Sequence, residues 1–280
     1  MKAEYIEKLK LLKIMDDDFA RLVFEDEASG IEVLRILQVL PPNVEVFHYE
    51  TQKDIVNPSS RSLVFDIFVV TEDRVIDMEI ENSKIRATPK RARLHSSEMD
   101  VHISQPKEDF VDLPMNIVVF ICSFDYYQKG LPYYTIERTV KELGIDFLDQ
   151  SKIIYVNGKY VGTDEIGKLI HDLQCTNPKD MHNDVLRNRV TYFKERESGV
   201  KTVCKIWDDI KKEGKIEGKI EGKIEERINC VCAVMTSSNV SLEKAMEMLL
   251  IPEAEKDGLR KLVELRRNDS NLGQKEKSDE

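Results

Sequence analysis

Between residues 63 and 81 the spacing of apolar and polar positions is that of two adjacent strands. Leu63-Val64-Phe65-Asp66-Ile67-Phe68-Val69-Val70 is apolar on both faces of a strand except at Asp66. The turn residues Thr71-Glu72-Asp73-Arg74 follow, and Val75-Ile76-Asp77-Met78-Glu79-Ile80-Glu81 then alternates with period two. A tight hairpin pairs Val70 with Val75, and the same register sets Asp66 directly across from Glu79. Ile67, Val69, Ile76, Met78 and Ile80 then share one face, and Asp66, Asp77, Glu79 and Glu81 share the other. Opposed like charges destabilise a sheet, and burying a carboxylate without a partner costs roughly several kcal/mol. A hard divalent cation with oxygen ligands answers both costs. The plain alternative is an antiparallel strand with a wet outer face. Against it, Val64, Phe68 and Val70 would be apolar groups on that solvent face.

The first forty residues have a helical pattern. Ser29-Gly30-Ile31-Glu32 has the spacing of a capping box, and Ile31, Leu34, Leu37 and Leu40 form a stripe that stops at Pro41-Pro42. A strand over 43–49 and a polar connection through Pro58-Ser59-Ser60 lead into the acidic hairpin. Residues 84–104 read as a helix interrupted or entered at Pro89, and the run 115–122, apolar except at Asn116, as a strand buried on both faces. Asn157-Gly158, between Ile153-Ile154-Tyr155-Val156 and Lys159-Tyr160-Val161, is the strongest hairpin signal in the chain. Helices dominate from about Thr163. The order helix, three strands, helix, strand predicts an α/β core that contains the acidic pair.

The tail differs in kind. Residues 213–224 are three copies of Glu-Gly-Lys-Ile, whose isoleucines drift around a helix because a period of four exceeds 3.6. A glycine in each repeat costs about 1 kcal/mol against alanine, so this helix is either a solvated spacer or an oligomerisation seam. Residues 241–250 and 252–266 read as two short amphipathic helices, and 268–280 as a disordered polar tail. The expected divisions are 1–205, 206–235, 236–267 and 268–280.

Composition narrows the setting. The 280 residues carry a formal net charge of −10, so global electrostatics do not advertise a nucleic-acid binder. The five cysteines, Cys122, Cys175, Cys204, Cys230 and Cys232, are too scattered for a disulfide framework. Cys230 and Cys232 lack the companions of a zinc site and read as helix thiols. No signal peptide or membrane-length apolar run is visible. A reducing cytoplasm fits, with no membrane partner.

Residues 84–93 reverse the overall sign, carrying Lys84, Arg86, Lys90, Arg91 and Arg93 without an acid. They form either a solvated helix face or a phosphate-contacting surface beside a metal site. With these residues in place the chain, from about Asp16 to Lys205, resembles the Rpn family of recombination-promoting nucleases and transposase-like proteins, in the PD-(D/E)XK nuclease superfamily. The matching blocks are Arg21-Leu22-Val23-Phe24, Glu50-Thr51-Gln52-Lys53-Asp54, Arg61-Ser62, Lys90-Arg91-Ala92-Arg93 with Ser96-Ser97, and Lys129-Gly130-Leu131-Pro132. Further blocks are Ile154-Tyr155-Val156-Asn157-Gly158, Gly167-Lys168-Leu169-Ile170-His171-Asp172 and Tyr192-Phe193-Lys194. The Glu/Gly/Lys-rich repeats are also typical of such proteins.

The resemblance implies a restriction-endonuclease-like core (helix, three-stranded antiparallel part, helix, further strand) with a helical C-terminal extension. It implies a metal-dependent DNA endonuclease associated with recombination or mobile elements. Asp66 and Glu79 would be the metal-binding acids, with the Ile80 backbone carbonyl as third ligand, Mg2+ as cofactor and Mn2+ as its substitute. Glu81 is the third catalytic candidate. It stands where the superfamily usually has lysine and the family glutamine, a departure that makes a catalytically impaired nucleic-acid-binding or regulatory protein on the same fold the alternative. Gln52 is a supporting residue, and Lys84, Arg86, Lys90, Arg91 and Arg93 are the DNA contacts. The C-terminal helices are candidates for homo-oligomer contacts.

Overall fold

The computed structural model describes residues 3–56, 62–107 and 109–275, divided into two compact units at Cys204. The first unit is an α/β domain built on one mixed sheet. Three helices come first: α1 (Ala3–Leu11), α2 (Asp17–Phe24) and α3 (Glu27–Ile36). The strands β1 (Val46–Ile55), β2 (Leu63–Thr71) and β3 (Arg74–Glu81) follow, then α4 (Pro89–Ile103) and β4 (Met115–Cys122). After them come β5 (Tyr133–Ile136), the two-residue strands β6 (Thr139–Val140) and β7 (Ile145–Asp146), and β8 (Ser151–Asn157). Helices α5 (Glu165–Gln174) and α6 (Asp184–Glu195) close the domain. Across the sheet the order is β1, β2, β3, β4, β8, β5, and β6 and β7 pair apart from it.

β1, β2 and β3 are mutually antiparallel, while β4 runs parallel to both β3 and β8. The β3–β4 connection is a crossover through α4, as a parallel pair requires. Val118, Val119, Phe120 and Ile121 of β4 are fully buried, which accounts for their apolar run, and the buried Asn116 amide donates to Ser96 O and Asp100 Oδ1. Pro89 opens α4 at its first position, behind Thr88, whose hydroxyl accepts the Arg91 N–H. α4 then packs on β3 and β4, and α2 packs on β1 and β3.

Several expectations shift. The first strand begins at Val46 and runs on to Ile55, so the block 50–54 is strand rather than connection. Pro58, Ser59, Ser60 and Arg61 lie outside the described residues. The N-cap of α3 is Asp26, three residues ahead of Ser29. Its carboxylate accepts both the Ser29 N–H (3.1 Å) and the Ser29 hydroxyl (2.7 Å), and Ser29 is buried inside the helix. Glu32 is drawn instead to the Asn183 side chain, 2.8 Å away.

Asn157-Gly158 does not make the expected hairpin. β8 pairs with β4 and β5, and residues 159–161 form no strand. A type I′ turn needs positive φ at both central residues, and neither residue adopts it. Asn157 is buried, with its amide donating to Leu131 O and its side-chain oxygen accepting the Lys159 N–H. A Cβ on Gly158 would fall on the Cys122 carbonyl, so glycine serves close approach here rather than handedness.

The second unit holds the C-terminal helices. Helix α7 (Glu197–Ser238) begins in the first unit and contains the whole repeat. α8 (Leu242–Met248) is capped by Ser241, and α9 (Glu253–Lys275) continues through most of the stretch expected to be disordered; 276–280 lie outside the described residues. Ile228, Val231, Ala245, Met246, Leu259 and Val263 form this unit's own core. All five cysteines are free. Among the described residues no helix is long and apolar enough to cross a membrane.

Candidate functional site

The hairpin register is the one read from the sequence, with Val70 opposite Val75, Val69 opposite Ile76, Phe68 opposite Asp77 and Ile67 opposite Met78. The ladder ends at Ile67 and Met78, and at the next step, where the sequence set Asp66 opposite Glu79, side chains take its place. The Asp66 N–H donates to Glu79 Oε1 (2.9 Å), and the Ile80 N–H donates to Asp66 Oδ2 (3.2 Å). The other oxygen of Asp66 accepts from Gln52 Nε2 at 3.0 Å. Gln52 has φ of 52°, a left-handed backbone in mid-strand that marks an irregularity opposite Asp66.

That irregularity also changes which residues share a face. Strict alternation puts Phe65 and Phe68 on opposite faces, yet their rings stack with centroids 5.6 Å apart. Val64, rather than packing beside Phe68, is 44% exposed and lines the same cleft as Asp66. In a strand the N–H and C=O of one residue point to the same neighbour. The Ile80 carbonyl, like its N–H, therefore faces the gap beyond the last β2–β3 pair.

Behind the gap lie three buried acids, Asp77 (0% exposed), Glu79 (1%) and Glu81 (1%). Their burial excludes the wet-face reading. Helix α4 supplies their partners. Arg91 pairs through one nitrogen with Glu79 Oε2 and through the other with Glu81 Oε2 (2.6 Å). Glu81 Oε1 also accepts the Ser83 N–H (2.8 Å) and Arg86 Nε (3.2 Å). One turn after Arg91, His95 Nε2 accepts Arg91 Nε–H at 3.2 Å, which leaves the ring proton on Nδ1, donated to Asp77 Oδ2 at 2.7 Å. Burial lowers the His95 pKa, in keeping with this neutral ring. Burial, joined by mutual repulsion among Asp66, Asp77 and Glu79, raises the pKa of both Asp77 and Glu79 well above the usual carboxylate range. Asp77 Oδ1 is buried with no hydrogen-bond partner among the described residues.

The basic stretch divides into two groups. Arg91 faces inward onto the acids, and Arg86 bridges Glu81 and Asp17. Lys84, Lys90 and Arg93 are exposed; Lys84 lies 5.8 Å from the Phe124 ring centre. Asp66, Gln52, Glu81, Arg86 and Arg91 line one cleft of about 230 Å³ with Asp17 and Arg21 of α2.

Two ligand sets meet at Glu79. Asp77, Glu79 and His95 each offer a ligand atom within 4.8 Å of the others, a buried group able to hold a metal ion. Both ring nitrogens of His95 are already engaged there, by Asp77 and Arg91. The four carboxylate oxygens of Asp66 and Glu79 are engaged as well, by Gln52, the Ile80 N–H, the Asp66 N–H and Arg91. Asp77 and His95 were not singled out by the sequence. Asp77 reads there as one of several alternating acids. His95 shows only its four-residue spacing from Arg91, which puts both on one side of a helix. No family model matches the chain, and no curated protein matches it at a significant level.

Proposed function

We propose that this protein is a divalent-metal-dependent DNA endonuclease with a restriction-endonuclease-like core, in line with its resemblance to the Rpn family. The observation that carries this reading is the bond from the Asp66 N–H to the buried Glu79 carboxylate where β2 and β3 part, beside a cleft that Asp66, Ile80, Glu81, Arg86 and Arg91 line. Mg2+ bound by Asp66, Glu79 and the Ile80 carbonyl would polarise a scissile phosphate and lower the pKa of attacking water. Gln52 fixes the Asp66 carboxylate, and the Asp66 N–H fixes that of Glu79. Lys84, Lys90 and Arg93 present exposed charge to the phosphate backbone. Arg91 pairs with Glu81 and offsets its charge. The free thiols suit a cytoplasmic setting, and recombination or mobile-element DNA is the substrate the resemblance suggests.

A second reading, a DNA-binding regulator without cleavage, is favoured by the same Arg91, which already neutralises Glu79 and Glu81 as a metal would. Supercoiled plasmid incubated with the pure protein separates them. The nuclease reading expects nicking with Mg2+ or Mn2+, none with EDTA, and loss on the order of 100-fold or more in Asp66→Asn. Plasmid binding without nicking by the parent supports the regulator. Nicking that persists in Asp66→Asn contradicts catalysis at this site.

A further inference from the structure

Asp172, in the last turn of α5, is fully buried, and its two oxygens accept the backbone N–H groups of His182 (2.9 Å to each) and Asn183 (2.6 Å). These bonds clamp the segment before α6 to the end of α5. As a result the His182 ring lies against that of His171, with centroids 4.8 Å apart. The clamp needs only the carboxylate and two backbone donors, so it does not explain why both residues are histidines. Neither ring fills the core: the His171 side chain is 47% exposed, and His182 is exposed.

We propose that His171, Asp172 and His182 form a binding site for a transition-metal ion of the Zn2+ type, separate from the acidic centre and sharing no residue with it. Each of the three offers one ligand atom, and these atoms lie within 4.8 Å of one another. His171 Nδ1 and Asp172 Oδ1 are 3.1 Å apart. Two ligands about 2.0 Å from one tetrahedral ion are roughly 3.3 Å apart, so the ring and carboxylate already stand at ligand spacing. A metal ion there takes the place of the Nδ1 proton, which is released to solvent. His182, exposed and free to turn about its side-chain bonds, closes the set. The buried carboxylate supplies negative charge where the ion brings positive. Two imidazoles and one carboxylate select Zn2+ over Mg2+, which prefers oxygen alone. The site opens into a cavity of about 540 Å³ that Tyr160, Lys168 and Cys175 also line, leaving room for water at a fourth position.

Titration calorimetry of the metal-stripped full chain with Zn2+, in excess Mg2+ to occupy the acidic centre, tests the proposal. The parent and Glu79→Gln are expected to bind one equivalent that is weakened in His171→Ala and in His182→Ala. The weakening should be about 100-fold or more, since loss of a mere orienting partner already costs 10–100-fold. Circular dichroism should show both histidine variants folded, and if either is not, His171→Gln and His182→Gln take their place. Co2+ should give the parent a visible absorption band that the histidine variants lack. A parent that binds no such equivalent, one whose binding survives in both histidine variants, or one that loses it in Glu79→Gln overturns the assignment.

Discussion

Asp77 gives one oxygen to the His95 ring and leaves the other, Oδ1, without a partner among the described residues. Its ionised form is held against both burial and the charge of Asp66. Because its folded pKa is raised, the stability it contributes is fully present below the unfolded value near 3.9 and is lost as pH rises through the folded value. His95 has the opposite sign. Its lowered pKa gives stability that is present above the unfolded value near 6.5 and is lost as pH falls toward the folded one. Comparing Asp77→Asn with the parent isolates the acid, since the amide keeps an acceptor for His95 and removes the charge. In EDTA the variant should melt higher than the parent at pH 8, by about 2–4 °C for each kcal/mol of penalty removed. The difference should shrink toward zero by about pH 4, where the parent's acid is protonated. A variant that melts lower at pH 8, scanned in the same buffers, would mean that the Asp77 charge is stabilising.

At the level of elements, α4 carries the division of labour. Its inward residues, Arg91 and His95, meet the acids of β3, while Lys90 and Arg93 remain exposed. Replacing Lys84, Lys90 and Arg93 together by alanine should weaken DNA binding evenly across sequences and lower the salt slope by about 2–3. An unchanged slope across a salt series would place the phosphate contacts elsewhere. The sequence carried enough to read β3, β4 and the Val70–Val75 register, because period-two alternation and a nearly continuous apolar run are local signals with one structural meaning. It did not carry the fate of Asn157-Gly158, whose turn chemistry was overridden by burial of Asn157 and by the Cys122 carbonyl beside Gly158. Nor did it carry the Asp77–His95 contact, since the two stand eighteen positions apart, one on β3 and one on the crossover helix after it, and only the packing of α4 on β3 joins them.

The whole molecule divides its work by sequence position. The sheet, the acidic centre and the basic stretch all lie before Cys204, and the later helices have a core of their own. The fragment 1–204 is therefore expected to fold cooperatively and keep metal-dependent cleavage within about tenfold of the full chain, a span of 1.4 kcal/mol in activation free energy. Cleavage lost from a fragment that still melts cooperatively would give the helical unit a part in the reaction. The net charge of −10 means that any DNA contact relies on local basic groups rather than on the field of the whole protein. The proposed function requires that Asp66 and Glu79 together hold a divalent ion. Its most direct test is Mn2+ binding to the full chain, followed by electron paramagnetic resonance in the parent, Asp66→Asn and Glu79→Gln. A bound ion is expected in the parent, displaced by excess Mg2+, with affinity lower by at least about tenfold in each variant. Equal Mn2+ binding by all three proteins would contradict it.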